Sequence, residues 1–365
     1  MSYKTTFVTC LFDCHKNNEF KKEANKIYFK NSLRTLFIEQ PLVIYCDPDY
    51  AEKYYQIRKA LGYEEMTYII SKNLEELYFY KYKEHIESFK KTDSNAKFTP
   101  EIYIVWFSRF KFMLEAMKKN LFNSTHFAWI DINLLSKKFY NSLNYIEPDI
   151  YDRLNYIAEN PRDKFAVEMI NSWTPKSYKD LDHYFSKQRW IVAGCFYTTD
   201  IESGNFIIPK IIEKTEELLN LKYCQSDECV FAFIIDEYEE YFNLYIGDYQ
   251  DTIHNYYTID SNHSYVEWII SRNIERGNKD RVKKFLLKYK EYYLEKNMEF
   301  PYEPFLKCGL IPVQKQVQEP VQELIMETVP ESVPEMQLEE ENESVLTEQE
   351  TEPEPYVEVI NVKYK

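Results

Sequence analysis

The chain has 365 residues, a formal net charge of −15 and only 6 glycines, enough length for about two domains, or one large domain with appendages, and for a core without disulfide staples. Residues 311–365 hold 14 Glu against 3 Lys, a balance of −11, which leaves only −4 on the remaining 310 residues. A near-neutral body gives no electrostatic case for binding duplex DNA or an anionic membrane, and no apolar run approaches the roughly 18 residues of a membrane-spanning helix.

The start, Met1-Ser-Tyr-Lys-Thr-Thr, runs directly into an apolar strand-like segment rather than a signal peptide, which predicts a cytoplasmic protein. Thr5–Asp13 (TTFVTCLFD) reads as that strand, and 20–38 carries Phe29, Leu33, Leu36 and Phe37 at helical steps of four and three. Pro41–Cys46 (PLVIYC) is a short strand ending in Asp47-Pro48-Asp49. Tyr50–Leu61 is a helix stopped by Gly62, Met66–Ile70 a strand, and Leu74–Phe89 a helix. After a polar loop, Pro100–Lys119 is a helix with proline at its start, and Thr125–Ile132 (THFAWIDI) is a buried strand.

Phe165–Ile170 and Trp190–Thr198 (WIVAGCFYT) continue the strands, Ile207–Leu219 is helical, and Asp227–Ile235 is apolar without a decisive period. Glu240–Ile246 is a short strand, and Tyr265–Arg276 and Arg281–Glu299 close the body as helices. Beyond them, 314–355 repeats Val-Gln-Glu and Val-Pro-Glu, with five prolines, no glycine and no Phe or Trp. Such a segment repels itself and has too little apolar surface to pack, so it predicts a disordered acidic tail. Seven cysteines without a Cys-x-x-Cys pair read as reduced thiols rather than a zinc site.

Strand–helix alternation with solid apolar strands predicts a mostly parallel α/β sheet covered on both faces. Such sheets place ligands beyond the carboxyl ends of their strands. There Asp131 ends an apolar strand and Asn133 follows two residues later, two oxygen ligands that suit a hard divalent cation bridging a diphosphate. The same pair also fits an ordinary turn. Gly194, in Val-Ala-Gly-Cys-Phe, allows close approach of backbone to a ligand, or marks a bulge. Asp227 and Glu228 open an apolar segment, where the helix dipole alone accounts for two carboxylates. Asp47 fits the turn at Pro48.

Several blocks, in order, resemble the WlaTC/HtrL (YibB) family, which is assigned to the glycosyltransferases with a GT-A-type fold. They are TTFVTCLFD at Thr5–Asp13, PLVIYCD at Pro41–Asp47, Trp-Phe-Ser-Arg-Phe-Lys within Ile102–Met113, and FAWID at Phe127–Asp131. VAGCF at Val192–Phe196, SDE at Ser226–Glu228 and YIGDYQDTIHN at Tyr245–Asn255 complete the series, over about two thirds of the chain. The resemblance implies a GT-A-like mostly parallel mixed sheet over 1–300, a connecting segment at 301–310 and the tail at 311–365. It also implies transfer of a sugar from a nucleotide-diphosphate donor to an acceptor hydroxyl of a glycan, protein or lipid.

By the same resemblance, Thr9, Asp13, Asp47, Arg109, Lys111, Asp131 and Gly194 would bind the nucleotide sugar, and Asp227 or Glu228 would serve as general base. Asp131, Asn133 and His254 would hold Mn²⁺ or Mg²⁺. Two residues apart on a helix, Arg109 and Lys111 cannot face the same way, and Lys111, within the matching block, is the one expected to reach phosphate. Transferases of this fold typically carry Asp-x-Asp at the metal strand, and Asn133 replaces the second carboxylate with a neutral oxygen. That departure keeps open a second reading, a catalytically inactive scaffold or carbohydrate-binding protein whose tail takes a protein partner. A nucleic-acid enzyme is disfavoured, for the body has no basic stripe or phosphate-cradling glycine loop.

Overall fold

The computed structural model describes residues 3–15, 22–90, 98–136, 147–174, 178–186, 189–257, 263–295 and 297–300. The chain divides into two units, Met1–Ile311 and Pro312–Lys365. The second unit, and with it the expected acidic tail, lies outside the described residues.

The first half alternates as β1 (Thr5–Leu11), α1 (Lys22–Ser32), β2 (Leu42–Cys46), α2 (Pro48–Ala60), β3 (Thr67–Ser71), α3 (Lys83–Lys90), α4 (Pro100–Lys119) and β4 (His126–Ile130). The second half continues with α5 (Glu147–Glu159), β5 (Phe165–Met169), α6 (Leu181–Phe185), β6 (Val192–Asp200), α7 (Ile201–Asn220), α8 (Glu228–Glu237), β7 (Phe242–Ile246), α9 (His263–Glu275) and α10 (Lys279–Glu295).

Local chemistry sets most of the boundaries. Proline opens α2 and α4, where its missing N–H costs nothing. Gly62, at φ +81°, and Asn120, at φ 38°, supply the left-handed residues after α2 and at the end of α4. Asp200 caps α7 by accepting from the Ser203 N–H at 2.7 Å.

Two expected helices are shorter than their periodicity suggests. The segment after Ser32 tightens into a 3-10 turn at Leu33–Phe37, where the Thr35 hydroxyl donates to the Ile132 carbonyl at 2.6 Å. Leu74–Phe89 is likewise not one helix. It holds 3-10 turns at Leu74–Glu76 and Tyr78–Tyr82 before α3 begins, the first closed by a capping box between Asn73 and Glu76. The undecided segment Asp227–Ile235 forms α8, and α5 was not among the predicted elements.

The seven strands form one sheet in the order β3-β2-β1-β4-β6-β5-β7. Every pairing is parallel except those of β6, which runs antiparallel to β4 and β5. The mostly parallel, mixed α/β sheet expected from the sequence is therefore the one observed. Alternate residues of β1 face opposite layers: Val8 and Cys10 join the layer containing α4, α7 and α8, whereas Phe7 and Leu11 join that containing α2 and α5. Each fully buried Phe, Ile or Leu contributes roughly 1.5–3 kcal/mol.

The direction of β6 decides where the site lies. Because it opposes its neighbours, its beginning, with Gly194 and Cys195, sits at the same end as the carboxyl termini of β1, β2, β4, β5 and β7. Among the described residues no helix is long and apolar enough to cross a membrane.

Candidate functional site

At that end of the sheet a buried guanidinium gathers three elements. Arg109 projects from α4 and is 3% exposed. Its Nη1 donates to the Gly194 carbonyl of β6 at 2.7 Å, and its Nη2 forms an ion pair with the Asp227 carboxylate ahead of α8. Nη1 also lies 3.7 Å from Asp131 Oδ1 just past β4, and the Trp129 indole N–H donates to that same oxygen at 2.8 Å.

Glu228, the first residue of α8, is buried and accepts from the Gly194 N–H at 3.2 Å. Gly194 thus presents its carbonyl to the cation and its amide to a carboxylate. A Cβ at this position would run into the Arg109 guanidinium and stand 3.2 Å from Glu228 Cγ. The close approach that glycine permits here is that of Arg109.

Burial pushes the Glu228 carboxyl up to about 7, against the opposing pull of Arg109 and the Gly194 amide. Asp131 is raised as well, chiefly by burial and against Arg109 and the Trp129 indole, although its side chain keeps 39% exposure. A carboxyl titrating near neutrality can accept a proton from a hydroxyl and return it. The Asp227 carboxylate is engaged by the guanidinium.

Asp131 and Asn133 lie past the strand, which is shorter than the Thr125–Ile132 expected. β4 ends at Ile130, and a turn follows in which the Leu134 N–H donates to the Asp131 carbonyl at 2.8 Å and the Ser136 N–H to the Asn133 carbonyl at 3.0 Å. Asn133 Oδ1 is a buried acceptor with no hydrogen-bond partner. His254 sits in a 3-10 turn, its carbonyl accepting from Arg153 of α5 at 3.4 Å. Among the described residues no three His, Cys, Asp or Glu side chains converge as a metal cluster. Asn133 Oδ1, without a partner, and the part-exposed Asp131 carboxylate two residues before it are oxygens of the kind a hard cation takes, provided a ligand supplies the remaining ones.

Asp13 and Asp47 meet past the ends of β1 and β2: the Asp13 N–H donates to Asp47 Oδ2, and Asp13 Oδ1 accepts from the His15 N–H at 2.9 Å. Asp47 precedes Pro48 but does not cap α2 with its side chain. Thr9 lies deeper, within β1 and fully buried, its hydroxyl without a hydrogen-bond partner. Lys111, the residue expected to reach phosphate, is not brought to the cluster; the helix turns Arg109 there instead. The Lys111 ammonium stands 3.6 Å from the Tyr78 ring centroid, and the charges that act on it are those of Glu216, Lys81 and Lys118.

A further buried carboxylate lies outside the residues expected from the sequence. Glu168 of β5 accepts from Asn255 Nδ2 at 2.8 Å and is wholly buried. The only hint was a charged residue inside the apolar run FAVEM.

A mixed, mostly parallel sheet that gathers carboxylates, an arginine and a glycine past its strand ends defines an α/β protein with a polar centre at the end where such sheets carry their ligands. The chain belongs to the HtrL_YibB family, described as bacterial proteins of unknown function, whose profile matches residues 3–258. No curated protein sequence matches it. Among solved structures, the crystal structure of mouse xyloside xylosyltransferase 1 in its apo form aligns with a TM-score of 0.34 at 10% identity, covering 66% of this chain and 84% of that one.

Proposed function

We propose that this protein is a glycosyltransferase, moving a sugar from a nucleotide-diphosphate donor to an acceptor hydroxyl. The observation that carries the reading is Glu228, a buried carboxyl pushed up to about 7 beside a fixed arginine at the carboxyl end of the sheet. Glu228 is the general base that takes the proton of the attacking hydroxyl. Asp227 is the counter-ion that fixes Arg109, and Arg109 supplies positive charge where the diphosphate departs. Asp13 and Asp47, joined past β1 and β2, are the groups offered to the base and ribose.

Asp131 and Asn133 would hold a divalent cation, Mn²⁺ or Mg²⁺, brought with the donor; Asn133 Oδ1 is the acceptor without a partner that supports this. Bound there, the cation would neutralise charge developing on the diphosphate.

The neutral oxygen of Asn133, in place of a second carboxylate, favours one alternative, a catalytically silent scaffold that keeps the cleft. Donor hydrolysis and transfer measured over a panel of nucleotide sugars with Mn²⁺ or Mg²⁺ separate the two. Turnover that is lost in Glu228→Gln supports the transferase. Absence of both turnover and thermal stabilisation by every donor would sink it.

A further inference from the structure

The Glu168 carboxylate takes no part in that chemistry, yet the chain encloses it completely. Gly247 lies against it: a Cβ there would collide with Glu168 Oε1 and the Asn255 amide together. Asn255 ends the segment that Gly247 begins, and its amide donates to Glu168 at 2.8 Å. Within this segment the Asp251 N–H donates to the Asp248 carbonyl at 2.8 Å, and the Tyr245 hydroxyl on β7 donates to the Thr252 carbonyl at 3.3 Å. The segment is therefore a closed loop pinned to β5 through Glu168.

That loop reaches the candidate site through Tyr249. Its side chain hydrogen-bonds Cys195, and its surroundings include Glu228 and Asp131. Cys195 is next to Gly194, and its carbonyl accepts from the Asp131 N–H at 2.8 Å. Tyr249 thus meets the sheet one residue from the glycine that Arg109 and Glu228 share.

We propose that Glu168 is a positioning residue: its clasp on Asn255 holds the loop from Gly247 to Tyr256 in place, so that Tyr249 closes the candidate site against Cys195. The clasp works as a neutral acid. Asp248 and Asp251 of the loop face Glu168, Tyr245 of β7 and Cys195 of β6 are the other titratable neighbours, and Arg162 is the cation behind Tyr245, 5.2 Å from its ring centroid. Burial, with the two aspartates, drives the Glu168 carboxyl well above the ordinary range, against hydrogen bonds from Asn255 and Thr252. An anion at Glu168 would face two carboxylates in a buried space and push the loop away. The proposal concerns loop geometry and stands whether or not the protein transfers a sugar.

The test follows backbone hydrogen exchange over 247–256 and the alkylation rate of Cys195, by peptide mass mapping of the full chain from about pH 5 to about pH 9, corrected for intrinsic exchange and thiol ionisation. In the wild type both should rise at least about tenfold toward high pH. Glu168→Gln, which keeps the shape and cannot ionise, should stay closed across the range, and Asn255→Ala should be open throughout. Tyr249→Phe should speed Cys195 alkylation while the loop stays protected. A Gln variant as open as Asn255→Ala, or one with the wild-type pH dependence, overturns the proposal. None of these readouts uses turnover, so a failure here is distinct from a failure of the transferase reading.

Discussion

Arg109 and Asp227, from elements more than a hundred residues apart in the chain, form an ion pair in which each side chain is only 3% exposed. A buried pair of this kind adds little net stability while intact, because desolvation offsets the attraction. Breaking it on one side is costly. Arg109→Met should therefore lose about 3–5 kcal/mol in denaturant unfolding. Arg109→Met/Asp227→Leu should recover much of that loss, through a favourable coupling between the two sites. Equal costs in the single and double variants would show that the pair is not energetically coupled.

Gly194 is the next test of the same cluster. Gly194→Ala places a methyl group against the guanidinium, a collision that in a packed interior costs typically about 1–3 kcal/mol. The cost should shrink in the Arg109→Met background, where the site of collision is vacated. If it does not, strand geometry rather than Arg109 determines the glycine.

Glu228 gives a pH signature. Its folded-state carboxyl is raised to about 7 from an ordinary value of about 4.5, so between those values the folded protein binds more protons than the unfolded chain. Stability is accordingly fullest below about pH 4.5 as far as this group is concerned, and falls as pH rises toward 7, by roughly 3 kcal/mol in total. Glu228→Gln should flatten that slope in unfolding measured over the same range. It should also remove turnover without lowering stability at neutral pH. An unchanged slope would mean that Glu228 is ionised throughout.

Asp131 and Asn133 separate donor binding from folding. Asp131→Ala should abolish turnover and leave the melting transition within a few degrees of wild type, because the side chain is 39% exposed. Asn133→Asp, which restores a second carboxylate, should tighten Mn²⁺ binding in calorimetry with a nucleotide diphosphate present. Turnover that survives Asp131→Ala would displace the donor from this strand end.

Lys111→Ala should change nucleotide-sugar affinity by less than about twofold, whereas Arg109→Lys should weaken it about tenfold or more. The reason is placement: Lys111 stacks on Tyr78 while Arg109 faces the sheet end. Equal losses in the two variants would contradict that placement.

Much of the fold was legible because periodicity and punctuation agree over its strands and longer helices. The apolar runs from Thr5, Pro41 and Thr125 become β1, β2 and β4, and the proline-opened helix from Pro100 becomes α4 over the residues expected. α5 lies outside the elements read from the sequence, although Ile150, Leu154 and Ile157 stand at helical steps. Leu74–Phe89 misled in the other direction: apolar spacing implied one helix, and the local hydrogen bonds of Asn73 and Glu76 start a tight turn instead.

Sequence alone determined that the chain is an α/β protein of near-neutral body and acidic end, with carboxylates past its apolar strands, since those features follow from composition and nearest-neighbour spacing. Tertiary structure alone decided which groups meet. The reversal of β6 carries Gly194 to the end where Asp131 and Glu228 lie, and α4 presents Arg109 there but turns Lys111 away. Burial, which raises Glu228 and Glu168, depends on every element packed around them and is therefore a property of the fold rather than of any local motif.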